Sequence, residues 1–205
     1  DYNLDQTNTD LAINELQNFL NTYPNSEKSK NINELIDELT YKLEFKAYEN
    51  AKQYYKIADY KAANVAFDNV LNDFPSTKLR SKIYDYILKS RYELALNSVY
   101  DLKKDRIENA LSFAKQAERE MPNTDIAKTA SDLKTKLLKA KEDFLVLEKK
   151  VDERKKELFD KQKTEEARIN AEKDLKNAEK NSEQIKRDSA AQATPSPAAT
   201  FKIQK

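Results

Sequence analysis

Residues 20–26 read LNTYPNS, residues 71–77 read LNDFPST and residues 118–124 read EREMPNT, three endings of one kind in a chain of 205 residues. Proline lacks an N–H and its ring clashes with the preceding turn, so each segment is expected to close a helix. Counting back from Pro24, Pro75 and Pro122 extends the likeness into that helix. Twelve residues earlier stand Ala12, Ala63 and Ala110; eight earlier, Leu16, Phe67 and Ala114; five earlier, Phe19, Val70 and Ala117. Offsets of four and three place all of them on one helical face. The chain is therefore predicted to be a helical repeat, each unit burying its apolar face only by stacking on its neighbours. Such stacks expose extended surfaces suited to holding other proteins.

The pattern resembles the second half of a tetratricopeptide unit, in which small residues let two antiparallel helices approach and a proline ends the second. In the middle unit the first half is recognisable too, with Ala51 and Tyr54 at its small and tyrosine positions and a turn at 59–61. The prolines are 51 and 47 residues apart, where a standard unit needs about 34, so the first helices must be long. Ser29 is expected to N-cap one of them, with Ile32, Leu35, Ile36, Leu39 and Leu43 following at helical spacing until about residue 58. In the third unit a first helix is predicted over 81–99 and a polar loop over 100–106. The opening segment 10–22 reads as a second helix whose apolar face needs a first helix from upstream, as in the C-terminal portion of a longer protein.

Composition excludes several chemistries. Histidine, cysteine and glycine are all absent, which removes zinc fingers, cysteine or serine–histidine nucleophiles, disulfides and phosphate-cradling loops. Lysine plus arginine number 37 against 36 acidic residues, a net charge of +1 that gives no electrostatic excess for nucleic acid. Acidic groups such as Glu34, Asp37 and Glu38 fall on polar helical faces and form no calcium loop. No catalytic, cofactor or metal site is expected, and no enzyme activity.

Residues 53–77, QYYKIADYKAANVAFDNVLNDFPST, carry a closer likeness. The paired Tyr54 and Tyr55, the turn ending in Tyr60, the alanines Ala62 and Ala63, and the closing Phe74, Pro75 and Thr77 resemble the signature of the BamD family, the tetratricopeptide lipoprotein subunits of the bacterial outer-membrane β-barrel assembly machine. The likeness covers about residues 1–139. It implies a periplasmic scaffold, held at the outer membrane by a lipidated N-terminal cysteine outside this sequence. Its implied partners are the periplasmic domains of a BamA-like barrel-forming subunit, other assembly subunits and unfolded outer-membrane proteins. A different reading is a general tetratricopeptide adaptor for periplasmic peptides or cell-division proteins, and a third is an accessory domain of an enzyme fused upstream.

The repeat core is assigned to Ala12, Leu16, Phe19, Pro24, Ala51, Tyr54, Ala63, Phe67, Val70, Pro75, Ala110, Ala114, Ala117 and Pro122. Tyr54 is expected to pack between helices and Tyr55 to turn toward a groove; the competing reading makes both part of a peptide-binding surface. Partner contacts are assigned to Tyr55, Tyr60, Lys61, Lys78, Arg80 and Lys82.

Composition shifts after Lys139. Of the fifty residues 139–188, 15 are positive and 14 negative, a balance that favours a long exposed helix. Leu137, Phe144, Val151 and Leu158 recur every seven residues with Ala140 and Leu147 between them, a short coiled-coil-like seam that packs on the last repeat or on a partner. Ala171, Leu175, Ala178, Ser182 and Ile185 resume it more weakly. The expected organisation is all-α: tetratricopeptide-like repeats over 1–139, a charged helical extension over 140–188 and a disordered tail over 189–205, with a cut after Lys139 leaving the repeats folded.

Overall fold

The computed structural model describes residues 1–192, and every regular element among them is an α-helix. These are α1 (Thr7–Thr22), α2 (Ser29–Lys56), α3 (Tyr60–Asp73), α4 (Arg80–Leu96), α5 (Tyr100–Glu120) and α6 (Asp125–Gln192). Neighbours in sequence pack as hairpins from α1 through α5, and α2 also reaches α4. This is the tetratricopeptide-like all-α arrangement that the repeated endings predict. At 28 residues, α2 is about 42 Å long, which accounts for the wide proline spacing. Among the described residues no helix is long and apolar enough to cross a membrane.

The three endings cap their helices alike, although only the third turn places a residue, Asn123, at a positive φ of 62°. The capping residues Tyr23, Phe74 and Met121 have φ/ψ of −128°/62°, −126°/69° and −127°/55°. Each donates its N–H to the carbonyl four residues back, at Phe19, Val70 and Ala117, over 2.8 to 3.0 Å. Proline follows, and two residues later a hydroxyl starts the next helix. Ser26 Oγ accepts from Lys28 N, Thr77 Oγ1 from Leu79 N and Thr124 Oγ1 from Ala127 N, at 3.3, 2.9 and 3.3 Å. One four-residue phrase thus satisfies orphan backbone groups on both sides of the reversal. The three prolines are exposed and serve as helix stops, outside the packed core.

The α2–α3 turn is built differently. Ala58 N donates to Tyr55 O and Asp59 N to Tyr54 O, each at 3.0 Å, the paired bonds of a Schellman motif. Asp59 then caps α3, its Oδ1 accepting from Ala62 N at 3.0 Å. Because the chain has no glycine, the left-handed position falls to Ala58 at φ 61°, which costs about 1–2 kcal/mol in Cβ–carbonyl crowding.

Three expected boundaries change. Ser29 is the first residue of α2; its N-cap is Lys28, which makes no side-chain cap, and the Ser29 hydroxyl donates back to Pro24 O at 3.2 Å. The loop expected at 100–106 is helical, because α5 begins at Tyr100. Charge misled the reading there: Asp101 sits well in a first turn, and the Tyr100 ring anchors the turn against Phe144, 5.2 Å away. Only 97–99 separate the helices, and α4 ends as Asn97 Nδ2 and Ser98 Oγ donate to the carbonyls of Glu93 and Leu94. Finally, α6 runs to Gln192, four residues into the tail expected to be disordered; the rest of that tail lies outside the described residues.

One compact unit comprises Asp1–Val146. Its larger core joins Tyr48 and Ala51 of α2, Ala63, Phe67 and Val70 of α3, Ile83, Tyr84, Ile87 and Leu88 of α4, Phe113, Ala114 and Ala117 of α5, and Ala130 of α6. A second cluster joins Ala95, Ile107, Ala110 and Leu111 to Leu137 and Phe144, with Tyr100 and Ala140 against it. The first heptad of the seam therefore packs on the last repeat. Lys134–Glu118 at 2.5 Å and Lys141–Glu108 at 3.1 Å flank that contact. Of the assigned core, Ala51, Ala63, Phe67, Val70, Ala110, Ala114 and Ala117 are buried, while Ala12, Leu16 and Phe19 on α1 are only half-buried.

The second unit is Leu147–Lys205, described here to residue 192. Its helical stretch exposes Leu147, Leu158, Leu175 and Ile185. Short pairs such as Arg154–Glu157 at 3.2 Å and Lys176–Glu172 at 2.8 Å lie along it. Exposed pairs of this kind add only tenths of a kcal/mol each.

Ala58→Gly should raise stability by about 1 kcal/mol, read as a higher urea midpoint at unchanged slope. A chain ending at Val146 should keep the full cooperativity of the repeat unit. One ending at Lys139 loses Phe144 and should be less stable by about 3–5 kcal/mol; equal melting of the two would remove Phe144 from the core.

Candidate partner-binding surface

Helical periodicity places Tyr41, Phe45, Tyr48, Lys52 and Tyr55 along one side of α2, at steps of four and three. Tyr86 of α4 and Phe67 and Tyr60 of α3 complete a continuous aromatic strip, in which Tyr48 and Phe67 belong to the buried core, Tyr41 is exposed and Phe45, Tyr55, Tyr60 and Tyr86 are half-buried. Ring centroids lie 6.1 Å apart for Tyr41–Phe45, 6.2 Å for Phe45–Tyr48 and 6.1 Å for Tyr48–Tyr86. Tyr86 stacks on Phe67 at 5.2 Å and meets Tyr55 edge-on at 5.0 Å, and Tyr55 meets Tyr60 at 5.6 Å. Tyr2, from the segment before α1, caps the other end against Phe45 at 4.7 Å. Edge-to-face and tilted contacts suit the ring quadrupoles and hold the side chains rigid.

Charged groups border the strip. Lys52 pairs with Glu49 at 2.7 Å and sits 5.6 Å from the Tyr48 ring centre, and Lys89 pairs with Asp85 at 2.5 Å. Burial pushes the Tyr48 phenol well above its ordinary value of 10, helped by Tyr86 and by the carboxylates of Glu49 and Asp85. Burial likewise raises Tyr55, against the opposing charge of Lys89. Both phenols therefore remain protonated hydrogen-bond donors at neutral pH, and neither is activated as a nucleophile or base.

The residues assigned from sequence separate into two groups. Tyr55, Tyr60 and Lys61 lie at the α2–α3 end, and Lys78, Arg80 and Lys82 at the α3–α4 end. The 14 residues of α3 hold those ends roughly 20 Å apart. Tyr55 is half-buried in the strip, whereas Tyr54, expected in the core, is 43 % exposed. At about 100° per residue, Tyr48, Ala51 and Tyr55 share the packed side of α2 and Tyr54 is turned away from it. It lines a shallow cleft with Asp59, Lys61, Ala62, Val65 and Asn69.

At the other end Lys78 and Lys82 are exposed, but Arg80 is committed to its own turn, Nη2 donating to Pro75 O at 2.6 Å. Behind that turn the Thr77 hydroxyl donates to the buried Glu44 carboxylate, fixing α2 to the α3–α4 reversal. Tyr84 makes a comparable link, donating to Glu120 and holding that carboxyl below its ordinary range. The strip members Tyr41, Phe45, Tyr48 and Tyr86 were absent from the sequence assignment. Their spacing on α2 was the available signal, but the proline alignment directs attention to α3 instead.

Raised phenol values carry a consequence for stability. A tyrosine that holds its proton more tightly when folded contributes stability present below pH about 10 and lost as pH rises toward the folded value. Tyr48→Phe should therefore flatten the alkaline loss of stability; urea unfolding at pH 8 and above pH 10 measures it, and an unchanged slope would place the loss elsewhere.

The model of the family described as outer membrane lipoprotein, YfiO, matches residues 1–107. The matched stretch takes in α1 to α4, the opening of α5, the whole aromatic strip and every residue assigned to partner contact. No curated protein matches the chain.

Proposed function

Because the chain belongs to the YfiO family of outer membrane lipoproteins, we propose that it is a BamD-type subunit of the machinery that folds and inserts outer-membrane β-barrel proteins. It works there as a scaffold, by binding and without chemistry. A lipid on an upstream cysteine holds it at the periplasmic face of the outer membrane. The repeat unit binds the periplasmic domains of a BamA-like barrel-forming subunit, touches other assembly subunits and assists delivery of unfolded barrel proteins. The family match is the observation that carries this reading.

The physical character of the surface supports it. Rigid tyrosines offer large contact area at little entropy cost together with donor hydroxyls, the composition of protein-binding hot spots. Exposed Lys78 and Lys82 add positive charge at one end of the repeat, where charge complementarity governs encounter and register more than raw affinity.

The test is isolation of the full-length protein, tagged at its C-terminus, from detergent-solubilised native membranes. Recovery of a large β-barrel protein with periplasmic domains is expected, and Lys78→Glu with Lys82→Glu should lower that recovery while leaving the melting curve in place. Recovery of non-membrane proteins alone would overturn the assembly role and leave a general adaptor.

A further inference from the structure

Asp37, Tyr41 and Glu44 follow one another on α2 at steps of four and three, which puts them on one face of the helix. With Asp73 at the end of α3 and with Thr77 and Lys78 from the turn after it, they line a cleft of about 310 Å³. Glu44 is only 7 % exposed. Its Oε1 accepts from the Thr77 hydroxyl, and that hydroxyl accepts in turn from Leu79 N at 2.9 Å, so its single proton is committed to Glu44. The second carboxylate oxygen, Oε2, has no partner among the described residues, and it is not sealed in: it opens on the cleft.

A nearly buried carboxylate with one neutral donor and no cation beside it is poorly compensated. The surrounding chain does not make up the difference. Asp37 and Asp73 are exposed at the mouth and form no ion pair, and the exposed Lys78 is bonded to none of the three. Three carboxylates thus share a cleft with one uncommitted lysine. Among the described residues no three acidic groups are gathered closely enough to hold a metal ion, which leaves an organic cation as the complement.

We propose that this cleft receives a basic side chain carried by another polypeptide. The cationic head donates to Glu44 Oε2, while Asp37 and Asp73 add negative charge at the mouth. The Tyr41 ring, 43 % exposed, lines the same cleft and offers a face on which a planar guanidinium stacks, so arginine fits better than lysine. Because Thr77 holds Oε1, the free oxygen is in place before the ligand arrives, and little ordering remains to be done on binding. The inference does not depend on which assembly the chain serves.

Titration of the full chain, followed by nuclear magnetic resonance, tests this with three blocked pentapeptides. They are alike except for a central arginine, lysine or citrulline, the last a neutral copy of arginine. The Leu79 amide is the reporter, since it bonds to the hydroxyl that holds Glu44. The arginine peptide should bind roughly tenfold more tightly than the citrulline peptide, and Glu44→Gln should remove a similar factor. Lys78→Ala should tighten arginine binding several-fold, because it withdraws the cation that lines the same cleft; a purely structural Glu44 would lower the melting temperature on substitution without that gain. Tighter binding of the lysine peptide than of the arginine peptide would support the site and assign it an ammonium group. Equal binding of the arginine and citrulline peptides, with the lysine peptide no tighter, would overturn the proposal. So would an unchanged affinity in a folded Glu44→Gln or, should that variant not fold, in Asp73→Asn at the exposed mouth.

Discussion

Each helix from α2 to α6 brings alanine to full burial at the surface it shares with its neighbours: Ala51, Ala63, Ala95, the pair Ala114 and Ala117, and Ala130, all at 0 % exposure. A methyl side chain is what lets two helix axes approach to the short end of the 8–10 Å range. Larger side chains then fill the spaces between the crossings, with Phe67, Ile83, Ile87 and Ile107 fully enclosed. Since a solenoid unit touches only its neighbours, an error at one crossing would displace every later unit. The proline turns reverse the chain at the right moment, but the alanines set how closely the reversed helices lie.

Close packing has a functional counterpart. With α3 and α5 held tightly, the long α2 and the facing side of α4 keep their aromatic side chains in fixed mutual contact. A strip assembled this way holds its half-buried tyrosines in one arrangement, so that contact made through them would carry a small ordering cost. Polar ties serve the same end. Glu44 to Thr77, Tyr84 to Glu120 and Arg91 to Asp68 each join different elements of the stack, and each fastens a helix to a neighbouring helix or turn. A glycine-free chain adds further rigidity, at the cost of the left-handed Ala58.

Much of this was legible in the sequence. The three proline phrases predicted helix ends, and the alanine offsets found Ala63, Phe67, Val70, Ala110, Ala114 and Ala117, because small residues at a helical period leave few alternatives. The paired tyrosines pointed to an outer-membrane lipoprotein, and the family matched over residues 1–107 is one of outer membrane lipoproteins. What was not legible depended on angle and tertiary context. Tyr54 and Tyr55 differ by one residue and 100° of rotation, and only the packed neighbours decide which of them turns inward. Residues 100–106 looked like a loop because they are polar, yet Tyr100 finds Phe144 across a separation of forty-four residues. Arg80 read as a free cation and instead closes its own turn. Glu44 carried no local signal, since its nearness to Thr77 exists only after α2 is stacked on the α3–α4 turn.

The most direct test of a scaffold that acts through the α2–α4 surface is site-specific photo-crosslinking in the native outer membrane. A benzophenone side chain would replace the exposed Tyr41 at one end of the strip, with a second probe at Glu153 on the exposed helix as comparison. An adduct from position 41 to the periplasmic domain of a β-barrel protein, lost when the strip is broken by Tyr86→Ala in a chain that still folds, is the expected result. Crosslinks from position 41 only to proteins outside the membrane, or none beyond those seen from position 153, would contradict the account.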